Sequence, residues 1–254
     1  MFLGCLSVNL QAQSKQPTKP LITDHWVGTW ATAQQIPVKE FMPYNNNLTN
    51  RSVRQVVKVS IGGNIIRLKI SNELSSQPLD IRSVYVAYTT DDFAIYTKSA
   101  KYFKFNKNYT VTVPAGQAVW SDGLPFDLRP LSRLTITINY TKAPKRPTVH
   151  MGSRTTSYIM QGVTDAHTDF ASSFREDHWF NIAGIDVWND SARSLAIIGN
   201  SITDGKCSTT NGQDRWPDIL SETLQDKYNV KDLGILNLGI GNNRVTLPGG
   251  FGYV

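Results

Sequence analysis

The most regular hydrophobic pattern in the chain lies at Arg133 to Tyr140, where Leu134, Ile136, Ile138 and Tyr140 alternate with Thr135, Thr137 and Asn139. Strict period two places alternate side chains on opposite sides of a strand, so this segment predicts one buried face and one wet face. The same pattern recurs upstream. Val53 to Ile61 and Ile65 to Ser71 flank Gly62-Gly63-Asn64 and predict two strands joined by a tight glycine turn. Ile81 to Tyr88 predicts another strand, and Tyr109-Thr110-Val111-Thr112-Val113 runs into the turn residues Pro114-Ala115-Gly116. Many short strands without a credible long helix predict a jelly-roll-like β-sandwich over residues 25–190.

The pattern changes after Trp188-Asn189-Asp190-Ser191. Leu195-Ala196-Ile197-Ile198 has no polar alternation and predicts a strand buried on both faces. Trp216 to Gln225 predicts a helix, with Pro217 in its first turn and Ile219, Leu220, Thr223 and Leu224 as its apolar stripe. Leu233 to Leu238 predicts a second buried strand. Strand, helix, strand is a βαβ unit, which belongs to an α/β domain with a parallel sheet. The expected fold class is therefore multidomain, β plus α/β, with residues 191–254 forming an incomplete second domain.

Composition and charge add limits. The 254-residue chain is 40% hydrophobic and 18% charged, which is globular composition. A net charge of +6 raises nucleic acid as a partner. However, Lys and Arg are scattered singly, as in Arg67-Leu68-Lys69, and the densest group, Lys142-Ala143-Pro144-Lys145-Arg146-Pro147, is short and broken by proline. No recognised binding module accompanies the charge, so no nucleic-acid partner is expected. No stretch reaches the ~18 apolar residues needed to span a membrane.

Residues 1–13 resemble the remnant of a secretory signal peptide, with Met1 to Leu10 mostly apolar and a small-residue cleavage site at Leu10-Gln11-Ala12-Gln13. The positive n-region is missing, and a plain apolar N-terminus is the alternative. Phe2-Leu3-Gly4-Cys5 faintly resembles a lipoprotein cleavage box, and residues 14–24 read as a linker. The expected location is secreted or periplasmic, with lipoprotein anchoring a further option. Once the leader is removed, Cys207 is the one cysteine left, so no intramolecular disulfide is expected.

The segment with chemical potential is Ile198-Gly199-Asn200-Ser201-Ile202-Thr203-Asp204-Gly205. A serine at the carboxyl end of a parallel strand sits where open α/β sheets place their ligand crevice. Gly199 and Gly205 permit a tight bend that could turn the hydroxyl outward, with backbone N–H groups facing a developing oxyanion. The alternative is a serine that only caps the following helix. The four histidines, His25, His150, His167 and His178, lie in or around the β-rich part and read as surface or loop residues. Asp165-Ala166-His167 and Asp177-His178 lack a third and fourth ligand at suitable spacing, so no metal site is expected.

The segment Gly199-Asn200-Ser201-Ile202-Thr203-Asp204-Gly205 resembles the nucleophile motif of the GDSL, or SGNH, hydrolases. Arg215-Trp216-Pro217-Asp218 before a helix, and Asn237-Leu238-Gly239-Ile240-Gly241-Asn242-Asn243-Arg244, are also similar to stretches of that family. Trp26-Val27-Gly28-Thr29-Trp30-Ala31, Ser71-Asn72-Glu73 and Gly152-Ser153-Arg154-Thr155-Thr156-Ser157-Tyr158 resemble the β-rich N-terminal domain of a secreted bacterial subgroup. The resemblance implies a flavodoxin-like α/β domain begun at residue 191 and a carboxylic-ester hydrolase without a cofactor. Its substrate would be a small ester or acylated carbohydrate. Ser201 would be the nucleophile, and its own N–H and that of Gly239 would be oxyanion donors. Asn200 stands where the family usually has Asp, and Asn242 where a glycine is usual. The family's third oxyanion donor and its Asp-x-x-His pair would fall beyond residue 254, which implies poor activity and a missing C-terminal half. A non-catalytic carbohydrate-binding or structural β-fragment is the competing expectation, with Trp26, Trp30, Trp120 and Trp179 as sugar platforms or as core.

Overall fold

The structure, a computed structural model, describes residues 25–38, 42–43 and 47–244. The leader, Cys5 and the linker expected before residue 25 lie outside the described residues. In chain order the strands are β1 (Trp26–Ala31), β2 (Arg51–Lys58), β3 (Gly63–Ser71), β4 (Leu79–Asp91), β5 (Ala94–Ile95), β6 (Lys101–Tyr102), β7 (Val111–Val113), β8 (Ala118–Trp120) and β9 (Leu124–Leu128). They continue with β10 (Arg133–Lys142), β11 (Val149–His150), β12 (Ser157–Gln161), β13 (Phe174–Glu176), β14 (Trp179–Phe180), β15 (Ile182–Trp188) and β16 (Arg193–Gly199). Two helices, α1 (Ser201–Asp204) and α2 (Trp216–Asp226), precede β17 (Leu233–Gly239).

Two curled antiparallel sheets enclose one apolar core. One runs β1-β15-β3-β8, with β9 also on β3; the other runs β13-β12-β2-β10-β4-β5, with β6 and β7 also on β4. Alternation supplies the core: Val53 and Val57, Ile66, Leu68 and Ile70, Val84 and Val86, Leu134, Ile136 and Ile138, and Ile185 and Val187 form one cluster. Each such side chain contributes ~1.5–3 kcal/mol on burial.

Several expectations need correction. The fold class of β plus a flavodoxin-like α/β portion is overturned, because the described residues are mostly strand, in antiparallel sheets, with two short helices. The strand–helix–strand segment forms only a two-stranded parallel ribbon, with Leu195 opposite Ile235 and Ile198 opposite Leu238. β16 is not buried on both faces; Leu195 is 45% and Ile198 75% exposed, and β17 is its sole partner strand among the described residues. The strands either side of Gly62-Gly63 do not pair with each other. β2 pairs β10 and β12 whereas β3 pairs β15, β8 and β9, so the chain crosses between sheets there.

The expected wet face of β10 is also buried. Thr135, Thr137 and Asn139 are at most 1% exposed. Asn139 donates to Ser83 Oγ and Thr164 O at 2.9 Å each and accepts from Thr164 N–H at 3.0 Å. Arg54 beside it donates to Phe93 O at 2.8 Å and Tyr85 Oη at 3.1 Å, and its guanidinium lies 3.8 Å from the centroid of the Phe170 ring. The loop carrying Thr164 and Phe170 folds over this face, so it is polar but dry, and its groups satisfy one another.

The ribbon and α2 dock on the rim of the β1-containing sheet. Ser60 is the anchor: its Oγ accepts from Ile235 N–H at 3.0 Å, and its carbonyl accepts from Gln225 Nε2 at 2.8 Å. The buried side of α2 is Pro217, Ser221 and Gln225, one turn apart, whereas Ile219 of the expected apolar stripe is 44% exposed. A β-carbon on Gly28 would meet Leu236, and Ser194 Oγ donates to Gly28 O at 2.9 Å. Arg215, 5% exposed, ties the helix start to the β-rich part. Its Nε donates to Asp218 at 2.6 Å and its Nη1 to Ser153 O at 3.1 Å, and it lies over Trp179.

Removing the Arg215 side chain leaves the Ser153 carbonyl without its donor and the Asp218 carboxylate without its cation, with only the backbone N–H of residue 215 still donating to it. Arg215→Ala is expected to lower unfolding free energy by ~3 kcal/mol, read as a shift of the guanidinium midpoint. An unchanged midpoint would show that the junction does not depend on this side chain.

Candidate functional site

β16 ends at Gly199 and the chain turns at once into α1, a single helical turn. Asn200 is its N-cap, with its side-chain oxygen accepting from Ile202 N–H at 3.1 Å. Gly205 closes the turn in the left-handed region at φ 108°, and its N–H donates to Ser201 O at 3.1 Å. The cap position is therefore filled by Asn200 and not by Ser201. Neither the hydroxyl nor the N–H of Ser201 makes a hydrogen bond among the described residues. Asn keeps the capping oxygen that an Asp would offer, so the turn forms without a carboxylate next to the serine.

Ser201 lines a cleft of about 570 Å³ with Gln35, Met151, Gly152, Arg154, Asp204, Lys206, Gly241 and Asn242. The cleft lies between the turn, the β17 exit and the chain between β11 and β12. Gly239 is not among the lining residues. Its N–H donates to Asn237 Oδ1 at 3.0 Å, and Asn237 Nδ2 donates to Thr203 O at 2.8 Å. The N–H anticipated as an oxyanion donor is thus committed to holding β17 against α1. Gly239 must be glycine for that approach, because a β-carbon there would fall on Asp204 N. Gly241 and Asn242, the latter at φ 65°, are the residues of this stretch that reach the cleft.

Beneath Ser201 lies a buried pair that the sequence did not announce. His150 Nε2 is 2.9 Å from Asp204 Oδ1, and both side chains are 3% exposed. His150 Nδ1–H donates to Ala33 O at 2.8 Å. A carbonyl oxygen can only accept, so Nδ1 carries a proton, and one further proton is shared between Nε2 and Oδ1. Whichever atom holds it, the pair is neutral as a unit. Gly152 makes the approach possible, since a β-carbon there would fall on the Asp204 carboxylate. Asp204 was visible as the Thr203-Asp204-Gly205 end of the serine motif, and Gly152 as part of the β-rich resemblance. His150 had no sequence signal, being 54 residues from its partner.

The other histidines are elsewhere. His25 pairs with Asp190 at 2.9 Å, and His178 contacts Glu176 at 3.2 Å and Met151 O at 2.8 Å. His167 lies in an exposed turn where its N–H donates to Asp165. No histidine lines the Ser201 cleft among the described residues, and His150 has both ring nitrogens engaged. No group of three or more His, Cys, Asp or Glu suited to a metal occurs among the described residues. No helix there is long and apolar enough to cross a membrane.

No known protein-family model matches the chain, and no curated protein matches it either.

Deleting the imidazole would leave a carboxylate in a dry site. His150→Ala is expected to cost ~3 kcal/mol of stability, and His150→Gln, which can still donate to Asp204, to recover part of it. Equal denaturation midpoints for both variants and the parent chain would refute the buried pair.

Proposed function

We propose that this chain is a serine-dependent carboxylic-ester hydrolase in which Ser201 carries the acyl group, acting on acylated glycans or similar extracellular esters. The observation that carries the reading is the unpartnered Ser201 hydroxyl at the wall of a cleft, with Asn200 doing the capping. The resemblance of residues 199–205 to the nucleophile motif of SGNH hydrolases supports it. In this reaction Ser201 Oγ attacks the ester carbonyl carbon while its proton passes to a base. The alcohol then leaves with a proton, and water cleaves the acyl-serine to release the acid. Acyl transfer of this kind uses no cofactor. The free Ser201 N–H is suited to receive the oxyanion; Gly239, with its N–H on Asn237, is not. Export to the periplasm or medium belongs to the same reading and rests on the apolar Met1 to Leu10.

Since no described histidine reaches Ser201, the hydroxyl is not activated within the described residues, and general-base assistance is worth ~10²–10⁴-fold. Treatment with a fluorophosphonate probe should label Ser201 slowly and stoichiometrically, and Ser201→Ala should not be labelled. Labelling at another residue, or none after prolonged exposure, overturns the nucleophile. Labelling at the rate of a serine esterase with a histidine base overturns the reading that no described residue activates Ser201.

A second reading, glycan binding by the β-rich part, is favoured by one surface. Arg67 lies 4.3 Å from the Trp120 ring centroid and 4.6 Å from that of Trp26, and Trp188 meets Trp26 edge-on. Trp120 and Trp188 are 38% and 42% exposed, whereas Trp30 and Trp179 are core. Affinity electrophoresis in acetylated xylan should retard the parent chain and Ser201→Ala equally, and Trp120→Ala less. Equal mobility of all three with and without glycan would remove this reading.

A further inference from the structure

We infer that Arg154 and Lys206 make the Ser201 cleft a receptor for an acidic glycan ester, whose carboxylate is taken by Arg154; this rests on the reading of Ser201 as the nucleophile. The cleft holds three ionic side chains beside Ser201: Arg154, Asp204 and Lys206. Asp204 shares its proton with His150, so that pair adds no net charge. Neither Arg154 nor Lys206 pairs with a carboxylate among the described residues. The wall beside the nucleophile therefore carries two uncompensated positive charges.

Arg154 is the more telling of the two. Its Nε is buried and has no hydrogen-bond partner, an arrangement that is unfavourable unless a ligand supplies the acceptor. Its backbone is in the left-handed region at φ 51°, unusual for a long side chain. Neighbours fix it there. Arg154 O accepts from Asn211 N–H at 2.9 Å, Ser153 O accepts from Arg215, and Asn211 Oδ1 accepts from Thr156 N–H at 2.7 Å. A guanidinium set on a braced backbone at the cleft wall, its Nε–H unpartnered, belongs to the planar fork that carboxylates match with two parallel hydrogen bonds. Lys206, exposed at the end of the serine turn, adds a point charge that attracts the same anion over a longer range. A neutral acyl glycan would leave Arg154 Nε unsatisfied; a uronate-containing one would satisfy it.

The test is calorimetric binding to the intact chain carrying Ser201→Ala, so that turnover cannot confuse the result. The probes are trigalacturonate, its fully methyl-esterified form of similar shape without charge, and sodium sulfate. Trigalacturonate should bind at least about tenfold tighter than the methyl ester, as loss of one charged hydrogen-bond pair implies. Arg154→Asn, which suits the left-handed backbone, and Lys206→Gln should each weaken trigalacturonate while leaving the methyl ester unchanged. Sulfate binding as strong as trigalacturonate would mean that a simple anion site is present and overturns the glycan assignment. No measurable trigalacturonate binding, equal binding of the two glycans, or indifference to both substitutions overturns the proposal. Melting temperatures of the variants separate lost binding from lost folding. Because binding is read without Ser201, failure here leaves the labelling experiment untouched, and failure to label Ser201 leaves this result standing.

Discussion

One proton, shared between His150 Nε2 and Asp204 Oδ1, binds the serine turn to the β-rich part of the molecule. Asp204 is the last residue of α1, and His150 ends β11, so their contact sets the height of the turn above the sheet rim. Everything around it conforms to that distance. Gly152 gives way to the carboxylate from one side and Gly239 to the backbone of the turn from the other. Ala33 O fixes the imidazole from behind, and the Trp179 ring lies 5.7 Å from it, centroid to centroid. With so many groups agreeing on one geometry, Ser201 is carried on a rigid support and not on a loose loop.

The same economy of polar groups runs through the fold. Arg54 and Asn139 stand on faces that alternation would assign to solvent, yet a returning loop covers them and supplies their partners. Ser60 joins β17 and, through Gln225, α2 to the sheet by hydrogen bonds set among apolar contacts such as Leu236 on Gly28. Burial of this kind stabilises only when every donor and acceptor is satisfied, and it specifies one docking orientation where greasy contact would tolerate several.

Much of the β-rich part was legible because period two is a local property: Leu134, Ile136 and Ile138 announce their strand without help from the rest of the chain. What covers a strand's second face is not local. The loop from Thr164 to Phe170 folds onto Asn139 and Arg54 through contacts no window of sequence contains, so the wet face of β10 could not be seen to be dry. Leu195 to Ile198 failed for the converse reason: an apolar run says what a strand tolerates, not how many neighbours it finds. At the site, the glycine-flanked serine was readable, as was the Asp that follows it. His150 was not, since it acts through a partner far along the chain, and Arg154 stood in a quoted stretch without a role, because what marks it is an acceptor it lacks.

Asn200 has a consequence for the environment in which such a turn can persist. A carboxylate cap holds its N–H partner by charge, and it weakens when acid neutralises it. The amide of Asn200 has no proton to gain, and its grip on Ile202 N–H is indifferent to acidity and little screened by salt. The cap that opens the turn presenting Ser201 is therefore uncharged, and that hydrogen bond is insulated from the medium even though the turn ends on a carboxylate and the cleft it faces is electrically charged.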